Sequence, residues 1–244
     1  MTAERLDPAE VEAFRHARDD VLGRIGAAAA RAGRDATLVT LVAVSKTVPS
    51  DRVRAAVAAG FGVLGENRVQ EGAAKIAVVD GAAWHLIGPL QANKARRAVE
   101  LFDVIETVHT LELAQRLAAV ATADRPGRPV PVLLHVNVDE DPAKAGFDRD
   151  ALEVAIERLD GLAALDYRGL MTIGRFAVTP GEARATFVSL RSLGERLRAR
   201  WPRLGPELSM GMSDDYEIAL EEGATIVRVG RAIFGERPAV PGGG

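Results

Sequence analysis

Residues 131–138, Pro-Val-Leu-Leu-His-Val-Asn-Val, decide the fold. The run is short and apolar enough to be buried on both faces, which is how a strand of a parallel sheet reads when helices cover the sheet on each side. Parallel neighbours need crossover connections, so the surrounding chain should alternate β-rich runs with longer helical stretches. Working outward, apolar periodicity places strands at 38–44, 62–64, 84–87, 104–107, 130–138, 167–171, 207–210 and 225–229. Helices are expected at 50–59, 69–79, 91–101, 111–122, 149–159, 180–200 and 214–221. Ahead of them a further helix should run from Pro8 to about residue 32, with Asp7 as N-cap, Glu10 closing a capping box and Gly33 as stop signal.

Eight strands alternating with helices over about 200 residues match a (β/α)8 TIM barrel at its small end, of class α/β. An open doubly wound sheet would need fewer strands or a second domain. The expected organisation is one barrel with an extra N-terminal helix over residues 1–237, followed by a flexible C-terminal tail, 238–244, reading PAVPGGG. The stretch 121–131, ATADRPGRPVP, is the best alternative boundary, and its length suits a loop between helix and strand.

Composition narrows the function. Of 244 residues 48% are hydrophobic and only 5% aromatic, so the core must be aliphatic, which favours many small helix-on-sheet contacts. The net charge of −3 provides no basic field for nucleic acid or an anionic membrane. The absence of Cys excludes disulfides, a thiolate nucleophile and Cys-ligated zinc, and four scattered His offer no metal cluster. No apolar leader or membrane-length run is present, and a cytoplasmic protein is expected.

In a barrel, chemistry gathers where the strands end. The residues found there are Ser45-Lys46, Glu66-Asn67, Gly88, His109, Asn137-Val138-Asp139, Thr172, Gly211-Met212-Ser213 and Gly230-Arg231. Lys46 either snorkels to water or, desolvated at the barrel mouth, acts as a nucleophilic amine of the Schiff-base kind. Ser213 reads as a helix N-cap and Gly230 as the opening of the turn after the last strand. Both positions can offer N–H groups to an anion, and both are also common as ordinary caps and turns. An amine and a phosphate cradle across one barrel mouth would suit a phosphorylated aldehyde such as pyridoxal 5′-phosphate. Arg228, two residues before Gly230, should face the same side; next to a pyridine nitrogen it would keep that nitrogen unprotonated.

Separated motifs then make the comparison specific: LVAVSKTV (41–48), FGVLGENRVQE (61–71), WHLIGPLQANK (84–94), VNVDEDPAKAG (136–146), GLMTI (169–173), LSMGMSDDY (208–216) and VRVGRAIFG (227–235). In this order they resemble the pyridoxal phosphate homeostasis protein family, single-domain relatives of the alanine racemase N-terminal barrel. The resemblance implies that Lys46 holds the cofactor as an internal aldimine and that Ser213, Gly230 and Arg231 form the phosphate cup. It also places Arg228 near the ring nitrogen, and Asn67, His85 and Met212 around the ring. Two positions depart from the pattern: Arg231 stands where many relatives carry a small hydroxyl residue, and His135 where they carry Gln. Trp84 and Met171 read as core packing, Lys94-Ala-Arg96-Arg97 as a solvated helix face, and the loop around Lys144 and Gly146 as either a lid or a solvated turn.

The family resemblance implies a homeostasis protein, not an enzyme, that buffers the cofactor or delivers it to apo-enzymes, with a monomer expected. The alternative is a fold-type III amino-acid racemase. Racemisation needs two acid/base groups flanking the cofactor, and in racemases the second, a tyrosine, comes from a β-rich domain that this sequence is not expected to contain. A Schiff-base aldolase acting through Lys46 is the third possibility.

Overall fold

The computed structural model describes residues 6–174 and 179–236, so the expected tail at 238–244 lies outside the described residues. Eight parallel strands close on themselves in chain order: β1 (Thr40–Val44), β2 (Val63–Glu66), β3 (Ala83–Leu86), β4 (Val104–Val108), β5 (Val130–His135), β6 (Leu165–Met171), β7 (Glu207–Ser209) and β8 (Ile226–Val229). β8 returns to β1 in the register Thr40↔Ile226 to Ala43↔Val229, which seals the (β/α)8 barrel. Between the strands run α2 (Ser50–Ala58), α3 (Val69–Ile76), α4 (Ala95–Leu101), α5 (Leu111–Asp124), α6 (Arg149–Asp160), α7 (Pro180–Arg200) and α8 (Tyr216–Glu221), preceded by α1 (Pro8–Arg31) and followed by α9 (Arg231–Phe234).

Side chains alternate across each strand, and the two parities build two different layers. One faces the helices: Leu64, Leu86, Ile105, Leu134 and Leu170 are fully buried together with Ala55, Ala98, Leu117, Leu152 and Leu190 of the helices. Each buried Leu or Ile contributes about 1.5–3 kcal/mol. The other parity points inward, where Val42, Val44, Ile87, Leu133, Met171 and Ile226 form a small cluster. The interior is narrow: a Cβ on Gly65 would stand 2.7 Å from Val42 Cγ1, so this inward position of β2 leaves no room for a side chain without moving Val42. Trp84 and Met171 are buried, as expected of core residues.

The extra helix is present. Asp7 caps α1 by accepting the Ala9 N–H at 2.9 Å, but Glu10 does not close a box on it. Its carboxylate takes the Arg52 guanidinium at 2.8 Å, because α1 packs on α2 and a cation there outcompetes an exposed backbone N–H. α1 also lies on α8 and α9, with Arg24 paired to Glu217 and Phe14 edge-on to Phe234 at 5.5 Å between centroids.

Several boundaries shift for local reasons. β1 starts two residues late because Asp35 accepts the Thr37 N–H and winds Ala36–Leu38 into a 3-10 turn. Residues 91–101 split into a 3-10 turn, Ala92–Lys94, and α4. Ser213 is not the N-cap of α8. The helix begins at Tyr216, after a tight turn in which Asp215 accepts the Met212 N–H at 2.6 Å and Met212 O accepts from Asp215 and Tyr216. The capping box that does form belongs to α7, between Thr179 and Glu182.

Candidate functional site

A cavity of about 510 Å³ opens at the C-terminal ends of the strands. Its wall carries Lys46 after β1, Asn67 after β2, Met212 and Ser213 after β7, Arg228 in β8, and Gly230 and Arg231 after β8. The volume lies within the range of small-molecule sites. Val44, Ile87, Ile173 and Ile218 supply apolar surface. Lys46 is half-buried, next to Val44 at the end of β1; because β1 pairs with β8, its strand end neighbours the β8 loop, and the expected placement of amine and cradle on opposite sides of the mouth is corrected to adjacent positions on one wall. The sequence reading missed the wall made by Thr179, Pro180 and Ala183 at the start of α7. Its signal was present in Thr-Pro-Gly-Glu (179–182), a capping-box sequence that places a helix start at the rim.

Gly230 N–H donates to Ser213 Oγ at 3.2 Å, which ties the loop after β8 to the one after β7. Arg231 and Ala232 open α9, where backbone N–H groups have no carbonyl within the helix to meet. Arg231 pairs with Asp214 on the exposed rim, so the acidic side chain that could repel an anion is held by the adjacent guanidinium. Asp215 is tied to the Met212 N–H; burial, only partly offset by that bond, raises its pKa above the ordinary carboxylate range. Gly88, after β3, passes against Asn67: a Cβ there would stand 2.3 Å from Asn67 O, so the loops after β2 and β3 pack backbone to backbone.

Beneath the cavity lies a buried polar chain. Arg228, 4% exposed, donates to Ser209 Oγ at 2.5 Å and to Thr172 O at 2.7 Å. Ser209 donates to Glu106 Oε2 at 2.6 Å, and Glu106 Oε1 meets His85 Nδ1 at 2.6 Å. Burial opposes ionisation of Glu106, but the hydrogen bond to His85 and the charges of His85 and Arg228 outweigh it and hold the carboxyl below its usual range. His85 is thus placed one inward layer below Ile87, engaged with Glu106, and is not among the residues that line the cavity. His135 is 5% exposed; burial, with the Arg228 charge adding to it, pushes its pKa down to about 4.

Two other stretches are held by local contacts. Lys144 crosses from the loop after β5 and donates to Gly174 O at 2.6 Å, tying that loop to the one after β6. Arg96 and Arg97 lie on an exposed face, paired with Asp124 and Glu100.

The family model of the alanine racemase N-terminal domain matches residues 24–238. A pyridoxal phosphate homeostasis protein of Pseudomonas aeruginosa is 43% identical over 220 residues, covering 89% of this chain and 93% of the relative. The chain belongs to the pyridoxal phosphate homeostasis protein family. Among solved structures of similar proteins, PipY of Synechococcus elongatus with pyridoxal phosphate bound shares 40% identity at a TM-score of 0.77, over 88% of this chain and 100% of that one. The alanine racemase of Streptomyces coelicolor shares the fold alone: 22% identity and a TM-score of 0.69, with 93% of this chain matched to 59% of the racemase. The motifs that supply Lys46, Asn67, Ile87, Ile173, Ser213 and Gly230 all contribute to this one cavity.

Proposed function

We propose that this barrel is a reversible, non-catalytic holder of pyridoxal 5′-phosphate that works in the cytoplasm as a monomer and yields the cofactor to apo-enzymes. The observation that carries this reading is the presence, in one cavity of about 510 Å³, of the Lys46 amine together with the Ser213–Gly230–Arg231 cradle, in a chain of this family. When bound, the cofactor supplies an aldehyde that an amine can capture reversibly with loss of one water, and a phosphate. The donor set suits those two groups: an amine at the end of β1, and, on the neighbouring loops after β7 and β8, a hydroxyl, a guanidinium and helix-opening N–H groups.

The residues divide the remaining work. Val44, Ile87 and Ile218 offer apolar surface to a flat ring, with Asn67 beside them as a polar contact. Arg228, anchored by Ser209 and Thr172, keeps a fixed positive charge at the cavity wall and opposes protonation of a heterocyclic nitrogen held against it. A ring held in this way is a poorer electron sink than one whose nitrogen is protonated. The tyrosines are consistent with this. Tyr167 donates to Leu159 O at 2.8 Å, Tyr216 is buried beneath Arg24, and neither lines the cavity where a second acid/base group would have to stand.

The test is to add pyridoxal 5′-phosphate to the purified protein, reduce with borohydride and map the modified peptide. Modification of Lys46, and its loss in Lys46→Ala with the fold intact, is the expected result; modification elsewhere overturns the assignment. Ser213→Ala should speed cofactor release while leaving Lys46 modifiable. Incubation with L-alanine and assay for the D-isomer separates holder from racemase: turnover above that of free cofactor sinks the non-catalytic reading.

A further inference from the structure

On the outer side of β1, behind Lys46, stands a buried lysine that the cavity does not use. Lys75, in the last turn of α3, is 4% exposed. Its ammonium donates to Ser45 O at 2.6 Å, Glu66 Oε1 at 2.7 Å and Glu71 Oε1 at 2.8 Å, which uses all three of its hydrogens. Glu66, fully buried, also accepts from Ser45 Oγ at 2.6 Å, and Glu71 also accepts the Thr47 N–H. Two carboxylates and one ammonium therefore grip the residues on either side of Lys46.

The segment they grip needs holding. Thr47 sits at φ +63°, in the left-handed region that a β-branched residue rarely adopts. The turn is closed by Val48 N–H on Ser45 O at 2.9 Å, and Thr47 Oγ1 donates to Lys46 O at 2.6 Å. A strained turn persists only when its surroundings over-determine it. A buried ion pair is in turn a weak source of stability compared with apolar packing of similar volume. The Lys75 cluster is thus better suited to specifying a geometry than to holding the barrel together.

We propose that Lys75 is a positioning residue: by fixing Ser45 O directly and Thr47 N–H through Glu71, it sets the direction in which the Lys46 side chain leaves the barrel wall. This rests on the reading of Lys46 as the amine that captures the cofactor aldehyde. It adds a reason why the lysine-bearing strand end is followed, one helix later, by Glu71 and Lys75 four residues apart on α3.

The experiment measures the rate of absorbance change when pyridoxal 5′-phosphate is mixed with apo-protein, together with amide exchange at Thr47 before cofactor is added. Lys75→Met should retain the barrel by circular dichroism, speed exchange at Thr47, and slow capture by roughly ten- to a hundredfold, the scale expected when a reacting group is misplaced by about 1 Å. Glu71→Ala, at a less buried position, should do the same and decides the question where Lys75→Met fails to fold. Glu71→Gln keeps an acceptor for Thr47 N–H and should recover most of the capture rate, which general destabilisation of α3 would not predict. Wild-type capture rates in both Lys75→Met and Glu71→Ala, with borohydride labelling still at Lys46, overturn the positioning role and leave the cofactor reading standing. Labelling at another lysine in the wild-type protein overturns both.

Discussion

At the scale of single residues, the barrel floor joins stability to pH. His135 is buried and its pKa is pushed down to about 4, first by burial and then by the Arg228 charge. A histidine depressed in the folded state binds more protons when unfolded, so stability falls as pH drops from about 6.5 to 4, by about 3 kcal/mol in all for a shift of this size. His135→Gln removes the titrating group, and urea midpoints measured from pH 7 to pH 4 should decline less steeply in the variant; parallel slopes would refute the assignment. Glu106 acts lower on the scale. Its folded pKa is depressed, so its contribution is complete above the ordinary carboxylate range and is lost as pH falls below it. Removing it by Glu106→Ala at neutral pH leaves Arg228 buried with only Ser209 and Thr172 O as partners, and should cost about 3–5 kcal/mol in urea unfolding. His85 shows how far the sequence was legible here. The family resemblance implies a place for it around the ring. The alternation within β3 puts it on the same inward side as Ile87 but one layer deeper, where its partner, Glu106, comes from the next strand and is invisible to local spacing.

At the scale of elements, apolar periodicity located every strand because each keeps an apolar core of two or more residues between turn signals, even where an inward or solvent-facing polar residue interrupts it, as Glu106 does in β4 and Arg228 in β8. What it missed was decided by competition among polar groups. In Ser213-Asp214-Asp215 all three side chains can cap a helix, and only the approach of Gly230 N–H, from 17 residues further on, assigns Ser213 to the β8 loop. α9, with four residues, is too short for any periodicity to register. The first helix was legible, but not its role: it braces α8 and α9, which flank the loops carrying Ser213 and Arg231. Phe14→Ala, which empties the contact with Phe234, should cost about 3–5 kcal/mol. It should also speed release of pyridoxal 5′-phosphate under native conditions. Leu117→Ala in α5, on the far side of the barrel, is the control: a similar loss of stability with unchanged release is expected. Equal release rates in the two variants would show that α1 does not support the cradle.

At the scale of the whole molecule, closure removes the sheet edges through which strands of separate chains pair. The surface then holds the remaining opportunities for association. Among the described residues the exposed large hydrophobics are Leu22 on α1, Leu38 before β1, Val78 after α3, Val154 on α6 and Met212 at the cavity mouth, each in a different segment of the chain. Stable homodimers bury a continuous apolar patch, whereas isolated exposed hydrophobics are ordinary surface. The net charge of −3 adds mild mutual repulsion between copies. Lys46, Ser213, Gly230 and Arg231 of a single barrel already line one cavity. Sedimentation from micromolar to submillimolar protein should therefore return a constant mass near 25.9 kDa, with and without pyridoxal 5′-phosphate. A mass that doubles with concentration would place an interface on a surface judged ordinary here, and one that doubles only with the cofactor would mean that the mouth itself is shared between copies.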